Sequence, residues 1–316
     1  MNKDPFSDVL ALVNARSVIS GGFWAGGDWA IRFPPPVRVK FFIAARGACW
    51  LSIDGEEPIR FSDGDAFLLT AARGFSLASD PGLPALDAVT LYAGEAHQIL
   101  NLGEGEDFFF LGGHVQFDSV CGQLLVDNLP PMIHLRAGCV EASTIGWLID
   151  QLVCEHRRGR PGSDFAATQL AQLMFLHILR SYLENTDRIM SGRLRAISDP
   201  RIAPAIRLIH GDPGYQWHLP ELAAACAMSR TVFAGYFKSV AGVAPLTYLT
   251  QWRMHLAERA LREGNASLAE LSETLGYSSE SAFSVAFKRV TGRAPRRYKA
   301  AMRQNVERDL SLPVVL

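Results

Sequence analysis

One stretch in the last hundred residues of this chain occurs twice, and that repeat limits what the chain can fold into. The first copy reads LPELAAACAMSRTVFAGYFKSVAGVAPLTYL from Leu219, and the second reads LAELSETLGYSSESAFSVAFKRVTGRAPRRYK from Leu268. Glu221-Leu222 matches Glu270-Leu271 at an offset of 49. From Phe233 the offset is 50: Phe233/Phe283, Phe237/Phe287, Lys238/Lys288, Gly242/Gly292, Pro245/Pro295 and Tyr248/Tyr298. One residue has entered the turn of the second copy. Because spacing and chemistry return together, each copy is expected to build the same supersecondary unit.

Each copy has the layout of a helix, a tight turn and a second helix. The first helix is rich in Ala and Leu (Leu219–Cys226; Leu268–Leu275). The turn is Ala227-Met228-Ser229 in one copy and Gly276-Tyr277-Ser278-Ser279 in the other, where Gly276 suits a positive φ. Ser229 and Ser279 are favourable N-caps for the helix that follows. That helix carries Phe233 and Phe237, or Phe283 and Phe287, at i, i+4 spacing, with small and polar residues opposite. A helix divided this way packs by one face and can enter a DNA groove with the other. Between the copies, Pro245–Glu263 is predicted to be a linking helix. It has Leu249, Trp252, Leu256 and Leu261 on one stripe and Glu258 four residues before Arg262. Two units on one face, about 34 Å apart, would enter successive major grooves.

The run GYSSESAFSVAFKRVTGRAPRRY, Gly276 to Tyr298, resembles the signature segment of the AraC/XylS family of bacterial transcription regulators. The resemblance extends over about Ile202–Arg303. It implies a sequence-specific regulator, an activator, whose partners are double-stranded DNA and RNA polymerase. It also implies that Thr231, Ala234 and Gly235 of the first unit, and Glu280, Ser281, Ser284 and Val285 of the second, face bases. Ser229, Arg230, Lys238, Arg253, Ser279, Lys288 and Arg289 would meet phosphates, giving register and salt dependence rather than sequence reading. Ala234 and Gly235 offer no hydrogen bond to a base edge, so the first unit is expected to read thymine methyls or DNA shape. Glu280 can accept from cytosine N4 but repels nearby phosphate.

The front half reads differently. Between residues 20 and 110, short apolar and β-branched runs (Val37–Ala44, Cys49–Ile53, Ala66–Leu69, Phe108–Leu111) alternate with turn-forming clusters, as in a sandwich or barrel. Asp54-Gly55 marks a hairpin. The stretches GACWLSIDGEEPIRFSDGDAFLL and LPPMIHLRA resemble the cupin-type sensor domain of one branch of the same family, which implies a β-barrel. Near residue 140 the period becomes helical: Glu141–Arg158 and Phe165–Leu183 are predicted to form an αα-hairpin, with a subunit interface as one use for its apolar surface. The fold class expected is therefore α+β, a cupin-like barrel with a helical hairpin followed by an all-α domain. The boundaries are 1–185 for sensing and dimerisation, 186–200 for a polar linker, 201–305 for DNA binding and 306–316 for a tail.

A ligand pocket inside the barrel would take its aromatic surface from Trp24, Trp29, Phe33, Phe41, Trp50 and Phe67, and its effector is a small molecule of unknown identity. The five cysteines (Cys49, Cys121, Cys139, Cys154, Cys226) form neither a disulfide framework nor a zinc signature. Cys49, beside Trp50, is the candidate for redox sensing. Eight scattered histidines give no metal cluster. His97 and His114 are the one pair that strand pairing could bring together. No cofactor and no catalytic residue is expected, since no GxSxG, HExxH, P-loop or Rossmann fingerprint occurs. A cupin-type isomerase or dioxygenase and a protein-binding helical module are the competing readings. The first lacks its histidine cluster. The second fits poorly with the charge: residues 1–192 hold 14 Lys/Arg against 22 Asp/Glu, a balance of −8, and residues 193–316 hold 17 against 10, a balance of +7. A basic back half suits a polyanion. With no signal peptide and no apolar run long enough to span a bilayer, a cytoplasmic protein, possible as a homodimer, is expected.

Overall fold

The computed structural model describes residues 4–93, 99–117, 122, 125, 126, 129–137, 142–184, 192–264 and 266–301. The chain divides into two compact units, one of sheets and one of helices. His97, Cys121, Cys139, Glu141 and the tail 306–316 lie outside the described residues.

Two sheets make up the first unit. The larger has the order β11-β6-β3-β10-β1-β9, built from β1 (Arg16–Gly26), β3 (Val39–Arg46), β6 (Ala66–Leu69), β9 (Ile99–Gly103), β10 (Phe108–Gln116) and β11 (Met132–Leu135). The smaller has the order β5-β4-β7-β2-β8, from β2 (Ala30–Phe33), β4 (Ala48–Ile53), β5 (Ile59–Ser62), β7 (Phe75–Ala78) and β8 (Leu86–Asp87). The expected barrel is thus corrected to two open sheets. Closure needs each edge strand to find a partner, and the edge strands here are short: β11 and β5 have four residues, β9 five and β8 two. The Asp54-Gly55 turn does join an antiparallel pair, with Cys49 opposite Phe61 and Leu51 opposite Ile59.

The core between the sheets is aromatic. Phe23, Phe42, Phe67, Phe108 and Phe110 from one sheet meet Trp29, Phe33, Leu51, Phe61 and Phe75 from the strands opposite and their connections. On the outer side of the larger sheet lie α3 (Ala142–Arg158) and α4 (Ser163–Glu184), packed on each other as the predicted hairpin. Gln172 of α4 accepts from the Ser17 N–H at 2.9 Å. Between β8 and β9 a single turn, α2 (Ala88–Leu91), carries the chain to Tyr92.

The second unit begins at the N-terminus. α1 (Pro5–Val13) starts with Asp4 accepting from the Phe6 and Ser7 N–H groups and buries Phe6, Val9, Leu12 and Val13. It packs within the helical unit, against α5 (Arg193–Ser198), α6 (Ala203–Gly211) and α9 (Pro245–Glu263), rather than with the strands that follow it. α5 occupies the stretch expected to be linker. Its Leu194, Ala196 and Ile197 are buried, an apolar face hidden within an otherwise polar run. The remaining helices are α7 (Leu219–Ala225), α8 (Arg230–Ala241), α10 (Leu268–Thr274) and α11 (Glu280–Thr291), with a last helical run at 295–301. The linking helix α9 spans the residues its periodicity indicates. Within it Glu258 is 1% exposed and pairs with His255 Nδ1 at 3.0 Å.

Candidate nucleic-acid interface

The repeat in sequence is a repeat in space. α8 and α11 are each twelve residues long. Each starts from a serine whose hydroxyl accepts from the backbone three residues on, Val232 for Ser229 at 3.4 Å and Ala282 for Ser279 at 3.1 Å. Each ends on a glycine in the left-handed region, Gly242 at φ 75° and Gly292 at φ 76°. The helices before them, α7 and α10, open with capping boxes closed by Glu221 and Glu270. The His218 N–H holds the Glu221 carboxyl below its ordinary range, and the Ser267 N–H does the same for Glu270.

The phenylalanine stripes hold these helices down. Phe233 and Phe237 lie 5.5 Å apart between ring centroids, and Phe283 and Phe287 lie 5.8 Å apart. Tyr248 meets Phe237 edge-on at 5.6 Å and 81°, and Tyr298 meets Phe287 at 5.5 Å and 82°. With the rings buried, the opposite faces are left to solvent. Thr231, Gly235, Glu280, Ser281 and Val285 are exposed, and Ala234 and Ser284 are half-buried. Ser229, Arg230, Lys238, Ser279, Lys288 and Arg289 are exposed as well.

Arg253 is corrected. It is 7% exposed, and its guanidinium donates inward, from Nε to the Pro213 carbonyl at 2.6 Å and from Nη2 to the Tyr215 carbonyl at 2.8 Å. The same group lies 5.6 Å over the Tyr277 ring. It therefore joins the loop before α7 to the turn before α11, and a phosphate cannot reach it. Two glycines complete this brace. A Cβ on Gly276, which sits at φ 72°, would meet the Gly214 carbonyl oxygen, and a Cβ on Gly214 would meet the Thr274 carbonyl oxygen. Gln216 donates to the Gly276 carbonyl. Backbone touches backbone here, so the two helix pairs hold one mutual orientation.

The aromatic residues expected to line one pocket have different surroundings. Trp29, Phe33 and Phe67 belong to the packed core between the sheets. Trp24 stacks on Phe109 at 4.1 Å beneath the Arg157 guanidinium, and Trp50 lies under Arg60. Phe33 and Phe41 border a cavity whose volume is about 20 Å³. Strand alternation explains the scatter, because residues of either parity along a strand face opposite sides. Cys49 is corrected too. It is fully buried, and burial pushes its thiol well above the ordinary range, against a weaker opposing pull from Arg60. The thiolate is the reactive form, so this site is suited to an inert thiol. His114 is held by Ser20, Gln116 and Arg38, and His97 lies outside the described residues. Among the described residues, no three His, Cys, Asp or Glu side chains converge as a metal site requires, and no helix is long and apolar enough to cross a membrane.

Known proteins align with both units. Residues 4–184 match a family model described as Cupin, and residues 222–301 match one described as Helix-turn-helix domain. AraC-like transcription regulators of Streptomyces lividans and Streptomyces antibioticus are each 42% identical to this chain over 297 residues, 94% of this chain and 98% of theirs. The chain belongs to the AraC family of transcription regulators. The regulator AlkR of Acinetobacter baylyi is 28% identical over 284 residues, 86% of this chain and 91% of its own. Among solved structures, the DNA-binding domain of AdpA in complex with a target DNA is 32% identical, covering 34% of this chain and 96% of that one, with a TM-score of 0.32.

Within this AraC-family chain, three residues of the interface carry no sequence signal read above. Val232 is 54% exposed at the first turn of α8, where an apolar side chain looks like core. Gly214 and Gln216 sit in an irregular loop whose partner is sixty residues away at Gly276, and local periodicity carries no sign of it. The signal for α8 and α11 was legible because their aromatic spacing is local.

Proposed function

We propose that this AraC-family regulator is an activator that reads duplex DNA with α8 and α11 in successive major grooves and responds to a small molecule through its sheet unit. The observation that carries the reading is the duplication: two helices of equal length, equally capped, with exposed polar faces and a brace that sets their mutual orientation. In this reading Thr231, Ala234 and Gly235 with Glu280, Ser281, Ser284 and Val285 face bases. Arg230, Lys238, Lys288 and Arg289, with the hydroxyls of Ser229 and Ser279, engage phosphates. Arg253 holds the two helix pairs together instead. Glu280 stands at the first position of α11, where its charge also favours the helix N-terminus.

The sheet unit takes the effector and acts without catalysis and without a resident cofactor, which agrees with the relatives being named as regulators. Its signal is a small molecule, since the one cysteine singled out for redox sensing is buried as a thiol. A homodimer forms through the hairpin of α3 and α4, where Trp147, Phe165 and Leu173 are 56%, 72% and 44% exposed. RNA polymerase is the partner through which bound DNA becomes transcription, and the cytoplasm is the compartment where the two meet.

The test is selection of genomic DNA fragments by the purified full chain across a salt series, with Lys288→Ala and Ser281→Ala variants. One defined site should be enriched. Lys288→Ala should weaken binding to every sequence and reduce the slope of log K against log salt by about 0.9. Ser281→Ala should relax preference at one or two base pairs at a penalty of about 1–3 kcal/mol. Binding that is indifferent to salt, or a Ser281→Ala profile identical to the parent, would falsify the placement of α11.

A further inference from the structure

The cavity bordered by Phe33 and Phe41 holds a group that the regulator reading leaves unused. Its walls are aromatic, and its polar members include Ser20, Lys40 and Tyr92. The volume of about 20 Å³ accommodates a group of one or two heavy atoms, not a sugar or a steroid. Tyr92 donates its hydroxyl to the Gly22 carbonyl at 2.7 Å. Lys40 and Ser20 are left to meet a ligand.

Lys40 stands out in the whole chain. The sequence has five lysines (Lys3, Lys40, Lys238, Lys288, Lys299) among 31 basic residues, so Lys40 is alone between Asp4 and Phe237. Every other cation in that span is arginine, which does not lose its proton in proteins. Burial first, and the Arg38 charge second, lower Lys40 to about 8. At pH 7 roughly one Lys40 in ten is then the neutral amine, against roughly one in three thousand for a lysine at 10.5.

A proton donor stands beside it. Lys40 on β3 is the cross-strand partner of His114 on β10, so the two side chains leave the same face of the sheet. Arg38 Nη1 lies 3.3 Å from His114 Nε2, and a guanidinium can only donate. His114 Nε2 therefore accepts, the ring proton sits on Nδ1, and Nδ1–H donates to Ser20 Oγ at 2.8 Å. The Ser20 hydroxyl keeps its own proton to give, and Ser20 lines the cavity.

We propose that this cavity captures the carbonyl end of a small aliphatic aldehyde as a Schiff base on the Lys40 amine. The nitrogen lone pair attacks the carbonyl carbon and a C–N bond forms. The carbonyl oxygen takes a proton from the Ser20 hydroxyl, which the nitrogen's own proton replaces, leaving a neutral carbinolamine. The carbinolamine hydroxyl then leaves as water with the second nitrogen proton, and a C=N bond remains. One amine and one aldehyde yield one imine and one water, with no oxidant or reductant. Addition of water reverses the step, as a sensor requires. The inference deepens the small-molecule reading above and rests on it only for the response at DNA.

The experiment uses the full chain, propanal as the probe and sodium cyanoborohydride to reduce any imine to a stable propylamine, followed by peptide mass mapping. At pH 7 Lys40 should be propylated roughly three hundredfold faster than Lys238, Lys288 or Lys299, in line with the difference in neutral amine. Lys40→Arg should lose the fast modification while melting at the parent temperature, and Ser20→Ala should slow it without moving its pH profile. Modification of Lys40 no faster than of Lys238, Lys288 and Lys299 overturns the proposal and leaves small-molecule sensing standing. Fast capture at Lys40 with unchanged affinity of the propylated protein for its selected DNA keeps the capture site and removes the sensing role.

Discussion

Ala227 stands in the left-handed region at φ 51°, where its counterpart in the second copy is Gly276 at φ 72°. An L-residue with a Cβ is strained there by about 1–2 kcal/mol, and glycine is not. Ala227→Gly should therefore raise the stability of the helical unit by up to about 1 kcal/mol, after the extra freedom of glycine in the unfolded chain is deducted. Chemical denaturation followed by the helical signal reads this directly, and a lower midpoint would contradict it. His210 makes a second claim at this scale. Burial, and then the Arg193 charge, lower it to about 3, and its ring lies 3.7 Å from Trp252 in a parallel stack. The unfolded chain takes up a proton at His210 as pH falls through about 6.5, and the folded chain does not do so until about 3. This group's contribution is thus whole above pH 6.5 and is lost progressively between there and 3, at roughly 1.4 kcal/mol per pH unit once below 6. His255, buried against Glu258, is lowered too and pulls the same way. Denaturation midpoints of the parent between pH 7 and pH 5 should slope, and His210→Gln should flatten that slope in part. Equal slopes would refute the assignment.

At the scale of elements, the question is what keeps two recognition helices in register. α9 was legible from its periodicity, and so were the four phenylalanines, because both signals repeat within a few residues. The brace was not. Arg253 lies in a helix rich in basic and polar residues, where nothing in the spacing distinguishes an inward guanidinium from an outward one. Its partners are main-chain carbonyls, which carry no sequence signature at all. The two roles separate experimentally. Arg253→Ala leaves the Pro213 and Tyr215 carbonyls short of a charged donor, so it should destabilise the helical unit by about 1.5–3 kcal/mol. It should weaken DNA binding without changing the number of ions released, whereas Lys288→Ala should reduce the salt slope and leave stability within about 0.5 kcal/mol. A reduced salt slope in Arg253→Ala at parental stability would return this residue to the phosphates. The sheet unit teaches the complementary lesson. Ala66–Leu69 and Cys49–Ile53 were readable as apolar runs, but short edge strands such as Leu86–Asp87 are defined only by the partner they find.

For the whole molecule, the path of the chain matters more than its element list. The chain starts in the helical unit as α1, builds both sheets and the hairpin, and then returns to the helical unit from α5 onward. A division at residue 185 follows the change in composition, but it assigns α1 to the wrong unit, because a nine-residue amphipathic helix reads the same whichever core accepts it. Phe6, Val9, Leu12 and Val13 are each at most 8% exposed, and their burial belongs to the helical unit's stability. Fully burying one such side chain contributes about 1.5–3 kcal/mol, so a chain beginning at Ala15 should lose several kcal/mol from that unit. With about 2–4 °C per kcal/mol for a unit of this size, calorimetry should find the helical transition lowered by about 10 °C and the sheet transition close to its parental temperature. The substitution Val9→Asp, which places a charge on the same buried face without shortening the chain, should move the same transition in the same direction. If the sheet transition falls instead, α1 serves the strands that follow it.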